Sequence, residues 1–295
     1  MRKIILLPFA AGLIASFLMS GYSLVTVSGW SNGGLSADSA NPDYGTHDWI
    51  AQHSLDWLPP QEKQLLTNNL ASYLYGTELP DNNQASDGIG DTTKHHIYYS
   101  ATGVMVDDSA AVRAREEYAK AIDFYRTGNF RETAKHLGAV AHYVSDLAVF
   151  GHVMGASTAW SAEVHHGDYE DYVDKRTDNY TDEFNSFLKY DGSLTATSAY
   201  DAAKNLAYDT TFDKDGDLTC VWMDTHYDWS NTAFRNRAGE SLNLAVNLVA
   251  DVVHGFYSEA VVPEFPGWGV LPLLLFSMLF VVVVGRKRTR RTSCG

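Results

Sequence analysis

Apolar positions between residues 61 and 257 recur every three to four residues, the period of helices with one buried face. Leu65, Leu66, Leu70, Tyr73 and Leu74 share a stripe of a helix predicted over 61–75, with Gly76 as its stop. Ala111, Ala114, Tyr118, Ile122 and Tyr125 mark a second helix, from a Ser109 cap to Arg126, ended by Gly128. After a turn at Asn129, a more apolar helix is predicted over 130–152. Shorter pieces follow near 168–178 and 200–208. A long helix over 232–257 carries the stripe Leu242, Ala245, Val246, Val249, Val253 and Phe256. No run alternates well enough to demand a sheet, so the predicted fold class is all-α, a single multi-helix domain. Stretches 77–107 and 153–165, rich in Gly, Asp, Ser and Thr, read as long loops, and loops of that length in a compact helical domain are usually functional.

The two ends have a different character. Met1-Arg2-Lys3 precedes an apolar run and a small-residue stretch at Val27-Ser28-Gly29, the layout of a secretory signal peptide over 1–29. Cleavage after Gly29 leaves Trp30 as the new terminus, whereas a retained segment would be a membrane anchor. Residues 267–285 carry no charge and are long enough to span a bilayer. Five positive charges in the following six residues mark 286–295 as a cytoplasmic tail. The domain itself is therefore expected at 30–262, exported to the outer face of the cell membrane, with 263–285 as spacer and transmembrane helix. Val262-Pro263-Glu264-Phe265-Pro266 resembles the Pro-Glu-Phe-Pro sorting signals of some archaeal surface proteins, which implies a processing protease acting near Pro263–Pro266.

Charge narrows the partners. The chain has 22 basic and 36 acidic residues. Setting aside Arg2, Lys3, the five tail cations and Glu264 leaves 15 basic and 35 acidic residues in 30–262, a formal charge of −20. Such a surface repels polyanions, so no nucleic acid is expected as a stable partner. Of the two cysteines, Cys294 lies in the tail, which leaves Cys220 without an intrachain disulfide partner in the exported domain.

The candidate chemistry lies in the eleven histidines. His142 and Asp146 stand four apart on a strongly helical segment, so both leave the same face. His152 follows six residues later, and His166 and Glu170 repeat the four-residue spacing. An imidazole and a carboxylate one turn apart can grip a divalent metal without distorting the backbone. A single such pair is more often a solvated face or local ion pair; two pairs joined by a further His shift the balance towards a metal. His53, His136, His226 and His254 read as ordinary polar or core residues. Asp213-Lys-Asp-Gly-Asp217 has its Gly misplaced for a calcium loop, and Asn179-Tyr-Thr181 is a glycosylation sequon.

His142-Tyr-Val-Ser-Asp146, then His152, then His166-Gly-Asp-Tyr-Glu170 resemble the zinc-dependent phospholipase C family. The related single-strand-specific nucleases usually end this motif in Asp, so Glu170 leans towards the lipase branch. The resemblance implies three zinc ions on nine ligands: Trp30, His47, Asp81, His96, His142, Asp146, His152, His166 and Glu170. Asp81, His96, His142 and Asp146 would hold one ion. Trp30, through a free amino end, and His47 would share Asp146 around a second; His152, His166 and Glu170 would hold the third. His95 and His165 are the neighbouring alternatives to His96 and His166. Asp81 is the implied proton acceptor for the attacking water.

The implied activity is hydrolysis of phosphodiesters, with phospholipids cleaved to diacylglycerol and a phosphorylated head group. Gly33, Asn82 and Thr93 stand where choline-cleaving members place acidic or aromatic side chains, which argues against a choline preference. The rivals are a zinc-dependent nuclease or nucleotidase on the same fold and a non-catalytic, metal-stabilised surface protein.

Overall fold

The computed structural model describes residues 36–82 and 88–261. The predicted signal peptide 1–29, Trp30, the predicted spacer and transmembrane segment 263–285 and the basic tail lie outside the described residues. Among the described residues no helix is long and apolar enough to cross a membrane.

The described residues form nine α-helices: α1 Thr46–Ser54, α2 Pro60–Asn68, α3 Leu70–Glu78, α4 Ser109–Arg126, α5 Phe130–Ser145, α6 His166–Asp174, α7 Ala199–Phe212, α8 Cys220–Thr225 and α9 Thr232–Val261. A single small hairpin, β1 Tyr98–Tyr99 against β2 Met105–Asp107, is the one departure from the all-α expectation. It sits inside the first predicted loop.

Helix α5 is the hub. Asn129 caps it by accepting from Glu132 N, and from Thr133 onwards it is buried almost throughout. It packs between α3 and α4 and also meets α1, α7 and α9. The helix predicted over 61–75 is broken at Asn69, whose backbone leaves the helical region (φ −126°, ψ 33°). Asn69 Nδ2 donates to Leu65 O (2.8 Å) while its own N–H turns to Leu66 O (3.1 Å), so the side chain takes over the helical hydrogen bond.

Gly76 does not stop a helix. It lies within α3, where an added Cβ would fall 2.0 Å from Lys135 O; one at Gly138 would fall 2.0 Å from Tyr73 O. The two glycines let the backbones of α3 and α5 touch, and this close crossing brings Thr77 O to His142 at the far end of α5. Gly128, at φ +76°, ends α4 as expected. The helix expected to continue to 152 instead unwinds at Asp146 into two 3₁₀ turns, Asp146–Ala148 and Phe150–Val153. That unwinding turns Asp146 and His152 towards the same interior space.

Candidate metal centre

The C-terminal end of α5, the start of α1, the end of α3, the segment before β1 and the start of α6 converge on one buried cluster. Three groups in it have the composition of metal sites: His47, His142 and Asp146; Asp81, His95 and His142; and His152, His166 and Glu170. The four-residue spacings act as expected. His142 Nε2 lies 3.1 Å from Asp146 Oδ2, and His166 Nε2 lies 2.9 Å from Glu170 Oε1. His152 Nε2 reaches the same Glu170 oxygen at 3.3 Å and Asp146 Oδ1 at 3.9 Å.

One residue differs from the expectation. His95, not His96, enters the cluster, with Nδ1 2.6 Å from Asp146 Oδ2, 3.2 Å from His142 Nε2 and 3.6 Å from Asp81 Oδ1. Residues 94–97 form no helix, and the two neighbouring side chains point in different directions. His96 stacks on Tyr98 (4.4 Å between ring centres) and meets Asp107 Oδ2 at 3.4 Å on the wall of the adjoining cleft. His165, the other alternative, stays outside, stacked on Tyr227 and bonded to Asp224 O (2.9 Å).

The proton positions follow from the partners. A carbonyl only accepts, so His142 Nδ1 donates to Thr77 O (2.6 Å) and His95 Nε2 donates to Asp91 O (2.5 Å). Ser145 Oγ donates to His142 O (3.2 Å) and accepts from His47 Nδ1 (2.8 Å). In their neutral forms all three rings therefore turn an unprotonated nitrogen inwards, against carboxylates. Partners of this kind hold a metal-ligating ring in its tautomer.

Lone pairs facing lone pairs in a buried site require a cation between them, either a proton or a metal ion. His95 can take the proton: burial opposes its charging, but the hydrogen bond and charge of Asp146, with Asp81, outweigh this and push it up to about 9. His166 is pushed up to about 10 in the same sense, its burial outweighed by hydrogen bonds to Glu163 and Glu170. His47 cannot: burial, then the neighbouring His142, push it down to about 4. Its Nε2 nonetheless faces Asp146 Oδ1 at 3.2 Å, and both atoms are buried without a hydrogen-bond partner. Asp146 is held well below the usual carboxylate range, burial being outweighed by His142, His152 and His47. Its charged form is thus favoured, and its Oδ1 has no hydrogen-bond partner.

The spacing fits as well. Tetrahedral ligands with bonds of about 2.0–2.1 Å to zinc lie roughly 3.3 Å apart, and most of the separations above are close to that. The donor set of imidazoles and carboxylates without thiolate also fits a hard-to-borderline divalent ion.

Beside the cluster lies a cleft of about 410 Å³, with His95, His152 and His166 on its floor and Thr93, His96, Tyr98, Met154 and Glu163 among its walls. Gly151 also lines it, and an added Cβ there would meet the His166 ring at 2.4 Å. Sequence reasoning missed Gly151, Ser145 and Glu163, the last 3.4 Å from His166 Nδ1. Glu163 stands three before His166, a spacing that was available as a signal. Of the histidines read as ordinary, His53 bonds Asp56 and Tyr180 O, His136 bonds Glu117, His254 bonds Glu62 and His226 stacks on Trp222. Asp213 caps the end of α7 at φ +54° and accepts from Leu218 N (2.6 Å).

A profile described as zinc dependent phospholipase C matches residues 46–231, well over half of the chain. No curated protein sequence matches. Among solved structures the chain is similar to the alpha toxin of Clostridium absonum, with a TM-score of 0.52 and 18% identity, covering 78% of this chain and 66% of that one. It is also similar to the alpha-toxin of an avian strain of Clostridium perfringens, with a TM-score of 0.50 and 17% identity over 79% of this chain and 67% of the toxin. The chain thus spans about two thirds of the toxins' length, and likeness at this identity concerns the fold.

Proposed function

Because the chain belongs to the zinc-dependent phospholipase C family, we propose that it hydrolyses the phosphodiester of phospholipids on a cluster of three zinc ions. The observation that carries this reading is the buried, unsatisfied opposition of His47 Nε2 and Asp146 Oδ1, in a ring whose burial opposes charging. Asp81, His95, His142 and Asp146 would hold one ion. His47 and the other Asp146 oxygen would hold a second, completed by the amino end of Trp30 once the leader is removed. His152, His166 and Glu170 would hold the third. Zinc so held supplies positive charge beside the phosphate and lowers the pKa of water at the site.

The chain's own residues supply the rest. Asp81, only partly buried at the edge of the cluster, takes the proton of the attacking water. Thr77 O, Asp91 O, Ser145 and Glu163 fix the imidazole rings. The adjoining cleft receives the head group. Tyr98 is the one Phe, Tyr or Trp among its described lining residues, and His96 covers its ring. A single aromatic ring with one face already stacked offers a quaternary ammonium little π surface, which favours head groups other than choline.

The formal charge of −20 on residues 30–262 disfavours the nuclease reading. Export through residues 1–29, tethering by 263–285 and processing near Pro263–Pro266 belong to the same proposal. Zinc-loaded protein offered phospholipid vesicles, single-stranded DNA and 3′-mononucleotides should release diacylglycerol and leave the nucleotides intact. Digestion of DNA without diacylglycerol would assign the cluster to nuclease chemistry. A zinc-bound protein that cleaves none of them would be a structural one.

A further inference from the structure

Seven large apolar side chains stand exposed among the described residues, and four of them lie on or against the two segments that supply cleft-lining residues, the hairpin and the 154–165 loop. Val104 (62% exposed) and Val106 (64%) lie on the hairpin whose other strand begins with the cleft residue Tyr98. Tyr208 (42%) packs edge-on to Tyr99 and stands 3.7 Å from where a Cβ of Gly103 would be, so it adjoins the hairpin tip. Val164 (76%) follows the cleft residue Glu163.

These segments are anchored. Trp160 Nε1 donates to Tyr99 O (2.7 Å), tying the 154–165 loop to the hairpin. Asp224 Oδ1 accepts from both Val164 N and His165 N (2.9 Å each), so the Val164 backbone is fixed while its side chain is bare. The other three exposed residues lie elsewhere: Phe130 at the opposite end of α5 from the cluster, Tyr190 stacked on Trp57, and Val261 at the end of α9.

Fixed apolar side chains around a polar cleft are unfavourable in water unless something covers them. We propose that Val104, Val106, Val164 and Tyr208 form a docking rim that inserts into the surface of a lipid bilayer and sets the cleft mouth against the head groups. The inference rests on the phospholipid reading above. Charge favours this mode of binding: residues 30–262 carry a formal charge of −20, which offers no electrostatic attraction to a bilayer, so contact between the domain itself and the head groups, beside any tether at 263–285, would be apolar. The hairpin and the 154–165 loop that carry these side chains also line the cleft, through Tyr98 and Glu163.

The test is the zinc-loaded triple variant Val104→Ser/Val106→Ser/Val164→Ser beside Phe130→Ser/Tyr190→Ser. Both are mixed with phosphatidylglycerol–phosphatidylcholine vesicles and with a short-chain phospholipid below its micelle concentration. The rim variant should bind vesicles at least tenfold more weakly (about 1.4 kcal/mol) and hydrolyse them at least tenfold more slowly. Its zinc content and its rate on the monomeric lipid should match the parent, and the control variant should match the parent throughout. Parent binding should hold or strengthen as salt rises.

Vesicle binding within twofold of the parent, an equal loss in the control variant, or binding that weakens with salt would overturn the proposal. So would a parent dimer that the rim variant dissolves without loss of vesicle binding, since the rim would then face a second copy. A parent that cleaves neither lipid refutes the hydrolase reading separately, and the binding comparison still decides the rim.

Discussion

His47 Nε2 and Asp146 Oδ1 face each other at 3.2 Å with no solvent access, and neither has a hydrogen-bond partner. Charging the ring to form an ion pair is opposed by burial, which with the neighbouring His142 holds His47 down to about 4, and its other nitrogen bonds Ser145 (2.8 Å). Asp146 uses its second oxygen on His95 and His142. One carboxylate thus connects two ligand groups, and both depend on its charge.

Asp146→Asn should therefore cost more than one interaction. The amide keeps the shape but removes the anion, and its NH₂ has no acceptor among the inward nitrogens unless they give up metal. We expect bound zinc, counted by mass spectrometry under native conditions, to fall by at least one ion per chain. Hydrolysis should drop on the order of 10³-fold, equivalent to about 4 kcal/mol of lost transition-state stabilisation. A variant with full zinc and full rate would break the link between this carboxylate and the cluster.

The histidine pair at 95 and 96 gives a sharper contrast. His95→Ala removes a ring that touches Asp81, His142 and Asp146, whereas His96→Ala removes one bonded to Asp107 on the cleft wall. The first should lose zinc and on the order of 10²–10³-fold in rate. The second should keep its zinc, with any loss confined to KM for the lipid. Reversal of the two outcomes would restore His96 as the ligand.

Much of this centre was legible in the chain because local spacing on a helix is itself geometry. His142 with Asp146, and His166 with Glu170, meet because four residues make one turn. His95 against His96 was not legible, because two identical residues in an extended segment differ only in which side they face, and packing elsewhere sets that. The ring partners Thr77 O and Asp91 O left no trace either, since every residue has a carbonyl. Gly76 read as a helix stop because sequence alone does not distinguish a glycine that ends a helix from one that lets another backbone touch it. The helices themselves followed the apolar period closely, apart from the break that Asn69 makes with its own side chain.

Gly151 is a third glycine of the touching kind, after Gly76 and Gly138, and here the neighbour is the proposed ligand His166. A Cβ at this position would sit 2.4 Å from His166 Cγ, so Gly151→Ala must push the ring away from Glu170 and His152. Overpacking of this sort costs about 1–3 kcal/mol. The displacement should appear as weaker zinc binding at the His152, His166 and Glu170 group, by roughly 10–100-fold, the loss typical when the support of a ligand is disturbed. Helical circular dichroism should be unchanged. Zinc titration against a competing chelator reads the effect; an unaltered titration would mean that His166 has room the structure does not show.

Away from the cluster, Glu117 gathers Arg113 (2.8 Å), Lys120 (2.9 Å) and His136 (2.7 Å) around a fully buried carboxylate that joins α4 to α5. Burial alone would raise this carboxyl, but the hydrogen bonds and cations outweigh it and hold it below the usual glutamate value of 4.5. A depressed folded-state pKa means that the carboxylate contributes stability above about pH 4.5, and that the contribution is lost as pH falls through the lower folded value. Glu117→Gln leaves the surrounding charges without their anion and should cost about 3–5 kcal/mol at pH 7. Below about pH 4.5 the gap between parent and variant should narrow, and it should close as pH falls through the lowered folded value. Zinc loss in acid affects both proteins alike and cancels in the comparison. Denaturant titrations of the pair at pH 7 and pH 3.5 measure this, and a gap that stays constant with pH would show that Glu117 acts through shape rather than charge.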